Sequence, residues 1–65
     1  MKYKLLHGKK RTFIINVLLD DGYVWGTTQD AESLNDAYRQ AFDDARLAGL
    51  RPVRVCNSEE VTTNE

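Results

Sequence analysis

The chain has one cysteine, one histidine and one proline in 65 residues. A lone cysteine, Cys56, excludes an internal disulfide and suits a reducing compartment. One His and one Cys cannot supply a zinc site. No apolar run approaches the ~20 residues of a membrane span, and the first residues lack the apolar segment of a signal peptide. The expectation is a soluble, cytoplasmic protein. Gly8, Gly22, Gly26 and Gly49 are isolated, so there is no glycine-rich phosphate loop. Net charge is also slight: nine Lys and Arg against ten Asp and Glu, formally −1. That removes any global pull toward nucleic acid or anionic lipid.

The same shortages argue against an enzyme. His7 and Cys56 are the only pair that resembles a nucleophilic dyad. Neither an orienting third group nor an oxyanion motif accompanies them. The acid pairs Asp20-Asp21 and Asp43-Asp44 lack calcium-loop spacing. A chain this short buries only ~60% of its unfolded surface, too little to enclose a deep pocket and keep a core. No catalytic residue, metal or cofactor is expected.

What is present begins with residues 30–49, which read as one amphipathic helix. At about 100° per residue, Ala31, Leu34, Ala37, Tyr38, Ala41, Phe42, Ala45 and Ala48 share an arc of about 140°. Alanine favours the helix. Asp30 or Ser33 can cap its start, and Glu32 and Asp36 suit the positive end of the macrodipole. Gly49 fits the left-handed position after the last turn, Leu50 follows it, and Pro52 blocks continuation.

Strands are expected at 2–7, 11–19, 23–28 and 53–56. Gly8-Lys9-Lys10 forms the first turn and Asp20-Asp21-Gly22 the second, where Asp-Gly is a strong hairpin signal. Residues 11–19 are the best strand, rich in β-branched and aromatic side chains. The order is β-β-β-α-β: an α+β fold with a mainly antiparallel sheet of three to four strands and one amphipathic helix packed on one face. Strand 53–56 is expected parallel to strand 2–7 and beside it. Residues 1–56 make one domain, and 57–65 read as a polar, flexible tail.

Strand 11–19 is apolar on both sides. Phe13, Ile15, Val17 and Leu19 point one way, toward the helix; Ile14 and Leu18 point the other, with Thr12 and Asn16. The second hairpin has two possible registers. A two-residue loop pairs Leu18 with Trp25 and leaves the aromatics on the far face. A three-residue loop with a bulge at Gly22 pairs Val17 with Trp25 and takes the aromatics into the core. The second suits a domain too small to spare its only Trp. In either register Ile14 and Leu18 lack cover, which points to dimerisation or a protein partner on the far face.

Charge is unevenly spread. Lys2, Lys4, Lys9, Lys10 and Arg11 form a basic N-terminal end, while residues 12–50 carry seven acids against Arg39 and Arg46. The outer helix face holds Asp36, Gln40, Asp43 and Leu47 in one stripe, flanked by Glu32 and Arg39. An apolar anchor ringed by acids suits docking on a basic protein surface, although a charged, solvated face is also the default for any surface helix. The basic hairpin offers up to five cations to phosphates, or simply blunts a sheet edge.

Two resemblances attach to these residues. The stretch from Arg11-Thr12-Phe13 to Asp21-Gly22-Tyr23-Val24-Trp25, with Thr28 before the helix, resembles the arm-type DNA-binding domains of tyrosine recombinases. Those are three-stranded sheets backed by a helix, with the sheet entering the major groove, so the resemblance implies a DNA-binding sheet. It covers about half of the chain and departs at strand 23–28, which has no Lys or Arg. Gly22-Tyr23-Val24-Trp25 is similar to an RNA-recognition strand, without the β-α-β-β-α-β order of that family. In style the compact acidic chain resembles accessory proteins of phages and mobile elements, some of which inhibit nucleic-acid machinery with carboxylates in place of phosphates. The expected function is a small protein-binding adaptor or inhibitor. The alternative is a nucleic-acid-binding regulator using the basic hairpin.

Overall fold

The computed structural model describes residues 10–61. β1 (Arg11–Leu19) is central, with β2 (Val24–Ala31) on one edge and β3 (Pro52–Val61) on the other. Both neighbours are antiparallel to β1. α1 (Leu34–Leu47) joins β2 to β3 across one face. Among the described residues the fold is thus α+β, an open three-stranded antiparallel sheet with one helix.

Burial alternates strictly along β1. Phe13, Ile15, Val17 and Leu19 are 7% exposed or less and face the helix. Ala37 and Ala41 meet them, and both, like Ala45, are fully buried. Alanines let the helix axis come close to the sheet, and the large strand side chains fill the layer between.

The second hairpin takes the three-residue loop. The Leu19 N–H donates to the Tyr23 carbonyl at 2.8 Å and the Gly22 N–H to the Leu19 carbonyl at 3.0 Å. Gly22 sits at φ 93°, and Val17 pairs with Trp25. Trp25 packs against the core and is half-buried, whereas Tyr23 stays 72% exposed at the tip. One aromatic joins the core; the other does not.

The helix is shorter at its start than the 30–49 expected. Ser33 is the cap, its Oγ accepting from the Asp36 N–H at 3.2 Å. Asp30 and Ala31 belong to β2, where Asp30 accepts from the Thr12 hydroxyl at 2.7 Å. Ala31 is buried from the strand, not from the helix. The other end is as expected. The Gly49 N–H bonds the Arg46 carbonyl and the Leu50 N–H the Ala45 carbonyl, the paired bonds of a Schellman cap. Gly49 has φ 84°, and Leu50 packs on the core.

The last strand requires a correction. The sequence predicts strand 53–56 parallel to strand 2–7, which lies outside the described residues. The structure instead runs β3 antiparallel to β1, from Pro52 opposite Leu19 to Val61 opposite Thr12. β2 and β3 thus occupy the two edges of β1. The helix explains the placement. Its 14 residues span about 21 Å and carry the chain back along the sheet. It is therefore delivered to the Leu19 end of β1, where the Asp20 N–H bonds the Arg51 carbonyl at 3.0 Å.

β3 also extends through Asn57-Ser58-Glu59-Glu60 to Val61, beyond position 56. Register shifts opposite Asn16/Val17 and Leu18/Leu19 break its alternation. Pro52, Val55 and Ser58 consequently face the helix side at intervals of three, and Val53 is 52% exposed.

Gly49 supplies the sharpest test of the cap. Nothing lies within 4 Å of a Cβ there, so only backbone strain at φ 84° opposes a side chain. Gly49→Ala should lower unfolding free energy by about 1 kcal/mol, and Gly49→Val by more, read from denaturant midpoints at constant m-value.

Candidate interaction surfaces

The helix stripe is less acidic than its sequence suggests. Asp36 pairs with Arg39 at 3.2 Å and Asp43 with Arg46 at 3.5 Å, both at i,i+3 spacing. Gln40 is half-buried and Leu47 is 85% exposed. Glu32 is not on the helix; it lies in the bend before Ser33, and its carbonyl accepts from Arg11 at 3.3 Å. The structure therefore gathers Asp36, Arg39, Gln40, Asp43 and Leu47 on α1 and sets Glu32 apart.

α1 lies over β1 and β2. On the β2 flank Gln29, 8% exposed, donates to Asp44 at 2.6 Å and to the Thr27 hydroxyl at 3.0 Å. On the β3 flank the helix stands off. There a groove of about 470 Å³ opens, lined by Tyr38, Phe42 and Val55 with Arg39, Asp43 and Arg46 on its rim. Tyr38 reaches across its floor, its hydroxyl 3.1 Å from Ser58 Oγ, and the Arg46 guanidinium lies 5.6 Å over the Phe42 ring. Tyr38 and Phe42, on the apolar arc that the sequence shows, are half-buried and pack against the core at its β3 margin.

The face of the sheet away from α1 carries no element among the described residues. Ile14 and Leu18 lie on its central strand, half-buried, Ile14 between Thr28 and Glu59 and Leu18 between Val24 and Arg54. Two polar bridges cross it: Thr12 to Asp30, and Asn16 Nδ2 to Asn57 Oδ1 at 2.6 Å. Asn16 also explains Gly26, its partner on β2. A Cβ at Gly26 would come within 2.9 Å of Asn16 Oδ1.

Of the basic end, Lys2, Lys4 and Lys9 lie outside the described residues, as does His7. Lys10 is exposed. Arg11 is engaged: it pairs with Glu60 at 3.5 Å, bonds the Glu32 carbonyl and lies 5.3 Å over Phe13. It ties β1 to β3 and to the turn before α1. Cys56 is exposed. Among the described residues no three His, Cys, Asp or Glu side chains come together as a metal site, and no helix is long and apolar enough to cross a membrane.

No protein-family model matches the sequence, and neither a curated protein nor a solved structure matches it significantly.

The helix ion pairs are solvent-exposed and each contributes at most a few tenths of a kcal/mol. The double reversal Asp36→Lys, Asp43→Lys should therefore cost no more than about 1 kcal/mol in a denaturant melt, including the unfavourable Lys in the first turn. It is a clean probe of the stripe because the fold survives it.

Proposed function

We propose that the chain is a non-enzymatic protein-binding module, an adaptor or inhibitor that works by occupying a partner's surface in the cytoplasm. The observation that carries this reading is the far face of the sheet. Its central strand presents Ile14 and Leu18 there, and α1 serves the opposite face only. A central strand apolar on both sides favours cover from another chain.

The far face supports the reading better than the helix stripe does. Asp36 and Asp43 already hold Arg39 and Arg46, so their carboxylates offer a basic partner less than a bare acidic stripe would. Leu47 remains as a single exposed anchor. The far face sets Ile14 and Leu18 on either side of the Asn16–Asn57 bridge, with Arg54 and Glu59 across from them, a mix of apolar and polar groups such as non-obligate interfaces carry.

Partner capture from lysate, compared across variants and repeated with nuclease, tests this reading. Ile14→Lys with Leu18→Lys should abolish capture while circular dichroism stays native. The Asp36→Lys, Asp43→Lys pair should retain capture, as should Lys10→Ala with Arg11→Ala. Capture lost with the basic variant, or with nuclease, would replace the reading with nucleic-acid binding, and affinity would then fall steeply with salt.

A further inference from the structure

The two edges of the sheet are not alike. The β3 edge carries Pro52, Arg54, Glu59 and Glu60 and two register shifts. Proline, charge and irregularity are the devices that keep an edge strand from pairing. Of these β2 has a single charge and nothing else. Its sequence, Val24-Trp25-Gly26-Thr27-Thr28-Gln29-Asp30-Ala31, has one charge, no proline and an unbroken register with β1.

The groups it presents follow from the hairpin. Leu19 and Tyr23 are a hydrogen-bonded pair. Pairs alternate along an antiparallel ladder. Trp25, Thr27 and Gln29 therefore bond β1, while Val24, Gly26, Thr28 and Asp30 turn their N–H and C=O groups outward. Those four residues are exposed.

We propose that β2 pairs with β2 of a second copy of this chain, antiparallel about a two-fold axis at Thr27. This register alone uses all four outward residues: Val24 meets the second copy's Asp30, and Gly26 its Thr28. Centring on Gly26 or Thr28 leaves part of the edge unpaired. The two Thr27 side chains meet on the axis, a favoured cross-strand pair. Asp30 faces Val24, so no like charges oppose each other across the strands. The flank of α1 above β2 holds Gln40, Asp44 and Leu47, as the Asp44–Gln29 bond fixes. Leu47, 85% exposed, thus lies on the side from which the second copy approaches. The inference is independent of the far-face reading, which concerns another surface.

Sedimentation of the full chain measures its oligomeric state. The wild type should be a dimer, and Thr28→Pro and Thr28→Lys should be monomers with native circular dichroism. The Thr28 N–H points away from β1, so proline there removes no bond within the monomer. In a Cys56→Ser background, Thr27→Cys should oxidise to a covalent dimer, since a non-hydrogen-bonded pair has Cα atoms about 4.5 Å apart, within disulfide reach. Val24→Cys should not, its mate being about 20 Å away, six residues along the strand. A wild type that stays monomeric when concentrated would overturn the proposal and leave the edge to an extended segment of another protein. A dimer that survives both Thr28 variants, or that cross-links through position 24 and not 27, would also overturn it.

Discussion

The structure depends on the contact between the helix alanines and one strand. Ala37 and Ala41 pack with Phe13, Ile15 and Val17, and all five are 3% exposed or less. A domain of this size has only a few kcal/mol of stability in total, so this layer supplies most of what holds it. The small alanine side chains set the helix low and centred over β1 and β2. The consequences appear at the margins. The β3 side of α1 stands open as a groove floored by Tyr38 and Phe42, and the sheet's other face is left to Ile14 and Leu18.

Local signals were legible where a single interaction decides them. Gly49 and Leu50 mark a Schellman cap because only glycine takes φ 84° cheaply. Asp20-Asp21-Gly22 gives a bulged loop, and that loop alone sets Val17 against Trp25. The alternation of β1 identified its buried residues correctly. The helix start was harder, since Asp30 and Ser33 are both good caps. Asp30 went instead to the strand, where the Thr12 hydroxyl binds it.

β3 was the least legible element, for two physical reasons. Edge strands are solvated on several sides, so Asn57 to Glu60 need no apolar residue to pair. The register shifts also spoil the period of two, so Val53 and Val55, which alternation puts on one face, separate. Its partner depended on where α1 delivers the chain, a long-range matter that no local pattern encodes. The stripe on α1 was visible as spacing, but the i,i+3 pairing that offsets its charge is a matter of rotamers.

The far face and the β2 edge are perpendicular surfaces, and use of one does not consume the other. Pairing through β2 would place two far faces in one continuous sheet, with Val24 of each copy near the seam between the two Ile14 and Leu18 pairs. A partner with repeated or two-fold symmetric features would then meet two identical sites at fixed spacing. Its second contact becomes intramolecular, so modest affinity at each face gives high avidity for the assembly. A small chain with a marginal core can in this way bind firmly without a large interface of its own. The β2 edge and the Ile14 and Leu18 face, both open among the described residues, then belong to one design: assembly in the plane of the sheet and recognition out of it.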